Sequence, residues 1–280
     1  MKKRFYPGVG EGRKMNNEVT PEYKKAVITL LYQLADDDYL FSYRGSEWLG
    51  LAPHIEEDVA FSSITQDTMG HAKLYYTLLE ELGEGIADSL AQLRPKEDRC
   101  NSLLVERPNG EGYYKEAPNY DWGYAVARNF VYTTAKKAKI DALKASSYAP
   151  IREVAVKIST ELYYHKMHWT TWFTQLCSAT EESRSRMLAA LQEVIKDAGD
   201  LLSFGKTATH ITACELIESE AAIKERWLAI VTPTFEAVEI AIPLLPESII
   251  NGRNGQHTDD LTSAIETMSE VYRSDLAASW

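Results

Sequence analysis

Apolar residues return every three or four positions along most of the chain, the spacing that gives a helix one buried face. The pattern starts abruptly after residue 19. Thr20 suits an N-cap and Pro21 the first helical position, and Val27, Leu30, Leu31 and Leu34 follow at i, i+3, i+4 and i+7. It runs to Leu49 and Gly50. Pro53 opens a second segment with Glu56, Glu57 and Asp58 in its first turn, where the helix dipole favours them, and Leu74, Leu78 and Leu79 carry it to Gly83. Each helix is about 30 residues and so about 45 Å long. The short link between them predicts an antiparallel hairpin.

Residues 84–119 break the rhythm with Gly85, Pro95, Pro108, Gly110, Gly112 and Pro118. A connection of about 35 residues exceeds what neighbouring bundle helices need, and predicts a crossover along the bundle. A second hairpin is expected from about Asp121 to Ser147 and from Pro150 to Cys177. Further helices are expected from Thr180-Glu181-Glu182 to about Leu202, over roughly 212–244, and after Thr258. No stretch alternates cleanly enough to make a strand of any length. The expected fold is all-α: a ferritin-like four-helix bundle, two long helical hairpins joined by a long crossover, with additional C-terminal helices. It would form one domain over 20–280, behind a flexible N-terminal arm at 1–19 whose Gly8, Gly10, Gly12, Asn16 and Asn17 carry hardly any apolar period.

Charge and composition narrow the function. The net charge is −11, while residues 1–14 hold five Lys/Arg against one Glu, so the remainder is more acidic still. Such a body repels phosphate backbones, and nucleic acid is not an expected partner. No run of 18 apolar residues occurs and mean hydropathy is −0.31, so no membrane span is expected. Cys100, Cys177 and Cys214 form no C-x-x-C pair, and no secretion signal precedes them. That pattern suits a reducing cytoplasm rather than a disulfide scaffold or a thiolate zinc site. There is no G-x-S-x-G elbow, and the glycines of the arm follow no strand, which excludes the common nucleophile and phosphate-loop signatures. The basic arm, Lys2-Lys3-Arg4 with Arg13 and Lys14, could dock on an acidic partner but reads first as a solubilising tail.

A bundle core of this kind can house two metals on one Glu from each of two helices and Glu-x-x-His from each of the other two. The second helix offers Asp67-Thr68-Met69-Gly70-His71, and the fourth offers Glu161-Leu162-Tyr163-Tyr164-His165. The two histidines occupy corresponding places in the two hairpins. Yet the residue three before the histidine is Thr68 in one case and Leu162 in the other, neither a carboxylate.

Seven strings in order carry a resemblance: LADDDYLFSYRGSEW from residue 34, LAPHIEEDVA from 51, DTMGHAK from 67, LLVERPNG from 103, ELYYHKMHW from 161, TEESRSRMLAAL from 180 and GRNGQHTDDL from 252, with Trp280 at the end. The chain resembles the PaaC family of bacterial multicomponent phenylacetyl-CoA epoxidases over nearly its whole length after residue 20. The resemblance implies a ferritin-like subunit that lacks the diiron centre and pairs with a homologous catalytic diiron subunit. In such a complex the ring of the CoA thioester is epoxidised with O2 and electrons from a reductase subunit. Laid on the catalytic sister, the first-helix ligand falls at or near Asp38, the second-helix Glu becomes Thr68 beside a retained His71, and the fourth-helix Glu becomes Leu162 beside a retained His165. No Asp or Glu lies between Trp122 and Ile140 in the third helix, which carries Lys136, Lys137 and Lys139.

Electrostatics gives the same answer from the residues alone. Two divalent ions about 4 Å apart repel by on the order of 16 kcal/mol at an effective dielectric of about 20. Four carboxylates would neutralise them, whereas Asp38 alone would leave a large positive charge. The expectation is a vestigial site at Asp38, Thr68, His71, Leu162 and His165, with no metal and no catalytic residue in this chain. Its histidines are expected to be satisfied core groups, paired with Asp37, Asp38, Asp67 or Glu161, the last two standing at i, i+4 to a histidine. A third-helix lysine, taken as Lys137, would substitute for the metal in a salt bridge. His168 and Trp172 extend this face as core, while His54, His210 and His257 are expected to be exposed. Two rivals remain: a free-standing iron-dependent oxidase or oxygenase using Asp38, His71 and His165, and a self-associating bundle, since a homodimer is possible when the chain is alone. Which helices meet a partner, and whether CoA touches this chain, stay open.

Overall fold

The computed structural model describes residues 20–278; the arm expected at 1–19 and Trp280 lie outside them. Helix α1 (Pro21–Ser46) begins as its grammar requires, Thr20 Oγ1 accepting from the Tyr23 N–H at 3.2 Å. From Leu30 to Phe41 it is buried nearly all round, because the later elements wrap it. Helix α2 (Ile55–Glu81) starts two residues after Pro53 rather than at it, with His54 in the N-cap position. The turn before it is closed by Gly50, at φ +81°, whose N–H donates to Asp58 Oδ1 at 2.6 Å. The second hairpin is α5 (Trp122–Leu143) and α6 (Ala149–Ser178); Asp121 caps α5 by accepting from the Tyr124 N–H at 2.8 Å. Together α1, α2, α5 and α6 make the all-α, ferritin-like four-helix bundle.

The connection between the hairpins is not a bare strap. It contains α3 (Ala87–Gln92), a 3-10 turn (Lys96–Asp98), α4 (Leu103–Glu106) and a two-residue antiparallel hairpin, β1 (Gly110–Glu111) with β2 (Asn119–Tyr120). Between Arg99 and Glu106 it runs through the interior, with Asn101, Ser102, Leu104 and Val105 buried. A buried segment needs partners for its backbone, and acidic side chains supply them. The Cys100 N–H donates to Asp36 and the Ser102 N–H to Asp37, at 2.9 and 2.8 Å, and the Leu103 N–H to Asp200 at 3.1 Å.

The C-terminal helices sheathe α5. Helix α7 (Glu181–Lys196) stops at Lys196, not near 202. Just beyond its C-cap at Asp197, Gly199 lies under the segment 246–248, where a Cβ would clash with Ser248 Oγ and Pro246 O. The helix expected over 212–244 is two helices, α8 (Ala208–Ala213) and α9 (Glu220–Ala237). The break falls at Glu215, which takes φ +55° and gives its carbonyl to the Ser147 N–H, and at Ser219, whose hydroxyl caps α9. Trp227 of α9 is buried on α5 with its indole N–H on Thr134 Oγ1 at 3.1 Å. Helix α10 (Asp259–Ser274) closes the domain, and among the described residues no helix is long and apolar enough to cross a membrane.

Candidate functional site

At mid-bundle α1 carries Asp36, Asp37 and Asp38, all buried. Successive residues point about 100° apart on a helix, so the three carboxylates fan out to three different elements. Asp36 meets the connection: Arg94 donates to both its oxygens at 2.8 and 3.0 Å, Arg99 at 3.2 Å, and the Tyr76 hydroxyl at 2.6 Å. Burial works against its ionised form, yet Arg94 and Arg99 hold it down to about 2. Asp37 takes a two-pronged bond from Arg253 at 2.9 and 2.7 Å, which pins the loop before α10 to the bundle. Lys139 stands 3.7 Å from the same carboxylate. Burial, and then the Arg253 charge, lower its ammonium to about 7.

Asp38 faces the place a metal site would occupy. Its Oδ1 accepts from Lys136 Nζ at 2.7 Å and from the Tyr132 hydroxyl at 2.6 Å, both on α5. The same ammonium lies 2.8 Å from His71 Nδ1. A lysine ammonium can only donate, so Nδ1 is the acceptor and Nε2 carries the proton. That Nε2–H in turn points at Glu161 Oε2, 2.6 Å away. The result is one chain of hydrogen bonds, Asp38, Lys136, His71, Glu161, running from the core of α1 to the outer edge of α6. Burial first, then the Lys136 charge, push the His71 imidazolium far out of reach, so the ring is neutral. Burial also lowers the Lys136 amine and raises the Asp38 carboxyl, each opposed by the other's charge.

His165 lies with its ring centre 6.0 Å from that of His71 and bonds Asp67 Oδ2 through Nε2 at 3.0 Å. Burial lowers it too, although the Asp67 bond works the other way. Thr68 is buried and spends its hydroxyl on the Ile64 carbonyl one turn back, at 2.8 Å. Leu162 is buried as a plain apolar group. Beyond His165, His168 and Trp172 both reach Glu57 on α2, at 3.2 and 2.6 Å.

Three expectations need correction. The lysine that enters the core is Lys136, not Lys137; Lys137 sits one position, about 100°, further round and pairs with Asp141 on its own helix. The histidines do not pair at i, i+4 with the acids of their own helices. They cross, His71 to Glu161 and His165 to Asp67, because α2 and α6 run antiparallel and bring 71 opposite 161 and 67 opposite 165. His257 is not exposed: its side chain is fully buried, with Nδ1 on Glu106 at 2.8 Å and Nε2 on the Arg99 carbonyl at 2.9 Å. Sequence reading also missed Asp36, Arg94, Arg99 and Arg253. The available signal was the acidic triplet set inside an unbroken apolar stretch, which demands buried cations from somewhere.

These residues do not fit a two-metal centre. The carboxylate oxygen of Asp38 and the facing nitrogen of His71 are both bound to an ammonium, two ligand positions are threonine and leucine, and a further cation would repel Lys136. The triad of Asp38, His71 and His165 meets the same obstacle, since Lys136 separates Asp38 from His71 and His165 turns toward Asp67. Among the described residues no cluster of three or more His, Cys, Asp or Glu side chains could hold a metal ion.

A bundle of two long helical hairpins, with histidines at corresponding places on two of its helices and a lysine set between one of them and an acid, defines a helical protein of the ferritin-like bundle class. The chain belongs to the phenylacetic acid catabolic protein family, whose model matches residues 12–280. It is 25% identical over 242 residues to the C subunit of the 1,2-phenylacetyl-CoA epoxidase of Escherichia coli (strain K12), an alignment that covers 86% of this chain and 94% of that protein.

Proposed function

We propose that the chain is a non-catalytic structural subunit of a multicomponent phenylacetyl-CoA epoxidase in aerobic phenylacetate degradation. Its partner is a homologous subunit that holds the diiron centre and the substrate pocket. The observation that carries this reading is Lys136: an ammonium takes the bonds to Asp38 and His71 that metal ligands would give to a cation, so the bundle is closed by its own side chain. Family membership and the likeness to one component of an epoxidase support the assignment of the complex. Within it the residues described above hold and orient helices.

The test is elemental analysis of protein purified from iron-replete cells without chelators, with oxygenase assays on phenylacetyl-CoA alongside. The expected result is iron near zero per chain and no turnover by the chain alone, with turnover when the iron-bearing subunit and reductase are added. About two irons per chain, or turnover by the isolated chain, overturns the proposal in favour of a free-standing iron enzyme.

A further inference from the structure

His257, one residue ahead of Thr258 in the N-cap position of α10, differs from the histidine of the mid-bundle chain in what its ring faces. His71 has an ammonium on one side and a carboxylate on the other, so one nitrogen accepts and one donates. At His257 both neighbours are acceptors: Nδ1 lies 2.8 Å from Glu106 Oε2, and Nε2 lies 2.9 Å from the Arg99 carbonyl oxygen. A peptide carbonyl can only accept, so Nε2 brings a proton. The Glu106 carboxylate is already filled by other donors. Asn101 Nδ2 reaches Oε2 at 2.9 Å, and the Thr258 N–H and hydroxyl reach Oε1 at 2.7 and 2.8 Å. Nδ1 therefore brings a proton as well. A neutral ring would set a nitrogen lone pair against an oxygen lone pair in a place where both side chains are 0% exposed.

The surrounding charges leave this pair to balance itself. A cation just before a helix opposes the helix dipole, and the acids of the first turn of α10 are engaged elsewhere, Asp259 by Lys96 and Asp260 by Arg107. Arg44 of α1 reaches the same junction but spends its guanidinium on Glu47 and on the Glu106 and Asp260 carbonyls. The Arg99 guanidinium turns to Asp36, and that of Arg253 to Asp37. Glu106 is the carboxylate that bonds the ring.

Three stretches of chain meet at this imidazole. Arg99 and Glu106 stand at the two ends of the buried part of the connection, and Thr258 heads α10. Gly252 lies over the ring, where a Cβ would come within 3.1 Å of His257 Cε1. Beyond the pair α10 buries Leu261, Ala264 and Ile265.

We propose that His257 is a buried imidazolium that latches α10 to the connection, and that loss of one ring proton as pH rises loosens the head of that helix. Without that proton either the Glu106 or the Arg99 bond must go. Nothing in this depends on the subunit reading above. Two groups close by also titrate near neutrality and have to be told apart from the ring: Asp200, which burial raises to about 6 and which accepts from the Leu103 and Gly252 N–H groups, and Lys139, which burial lowers to about 7.

Long-range proton–nitrogen spectra of the full chain, with exposed His54 as the reference ring, should show both ring nitrogens of His257 protonated near neutral pH. Glu106→Gln should move the loss of the second proton to lower pH by about one unit or more, because it removes a bonded counter-charge. In amide exchange, the protection of residues 258–261 relative to α5 should fall about tenfold or more across the His257 titration, and Glu106→Gln should move that step by the same amount. His257→Gln should show the low protection throughout, with no step. A single ring proton on His257 near neutral pH overturns the proposal, as does a titration that leaves the protection of α10 unchanged. A step that persists in His257→Gln, or stays in place in Glu106→Gln, belongs to Asp200 or Lys139 and overturns it equally. If His257→Gln does not fold, the wild-type proton count and the Glu106→Gln shift decide.

Discussion

Replacing Lys136 with methionine keeps most of its volume and removes its charge. In the wild type Nζ serves Asp38 Oδ1 at 2.7 Å and His71 Nδ1 at 2.8 Å. The variant leaves a buried carboxylate with Tyr132 and no cation, and an imidazole nitrogen without its donor. Breaking a buried pair from one side costs about 3–5 kcal/mol. A ceiling exists, because the orphaned carboxyl can take up a proton: at pH 7, with an ordinary value near 3.8, that costs about 4 kcal/mol at about 1.4 kcal/mol per pH unit. The expected loss is thus about 3–4 kcal/mol, read as a shift of the urea midpoint with little change in slope. Adding Asp38→Asn removes the stranded charge and should recover most of that loss, so the double-mutant cycle should show a coupling of at least about 2 kcal/mol. A loss below about 1 kcal/mol for Lys136→Met, or no recovery in the double variant, would refute the claim that this lysine stands in the place of a metal.

Two further predictions use the neighbouring acids. Asp36 is held at about 2 against an ordinary 3.8, so it stabilises the folded chain fully above pH 3.8 and loses that contribution as pH falls through about 2; Asp36→Asn should remove about 2 kcal/mol of acid dependence in urea titrations over that window. Arg253→Met should cost about 3–5 kcal/mol by stranding Asp37, and it should raise amide exchange first in the loop before α10, which this guanidinium ties to Asp37 and to the Cys100 carbonyl. Exchange that rises uniformly across the domain would count against such local pinning.

What was legible in the sequence was local. Thr20-Pro21 and Thr180-Glu181-Glu182 mark helix starts because capping is decided within four residues. The long hairpins show because their apolar stripes persist for many turns. The break between α8 and α9 was hidden, since Leu216 and Ile217 are buried and keep the apolar rhythm going through the turn. The buried course of Arg99–Glu106 was hidden for another reason: its backbone bonds go to acids on α1 and near α7, far away along the chain. At the site, the two histidines, His71 and His165, and the absence of a carboxylate three residues before each could be read directly. Which of Lys136 and Lys137 turns inward depends on the rotation of α5 against α1, and the exchange of partners between His71 and His165 depends on the register of α2 against α6. Neither quantity is written in local spacing.

The acidic triplet of α1 has a consequence for how the protein comes into being. In a bundle whose helices are joined through metal, the fold draws part of its free energy from the ion, and its survival follows the supply of that ion and the presence of chelators. Here each junction of Asp36, Asp37 and Asp38 is closed by a cation encoded in the same chain. On the reading proposed above these junctions form without a metal ion, so a chelator should leave the melting curve untouched, and a lowered melting temperature in chelator would count against that reading.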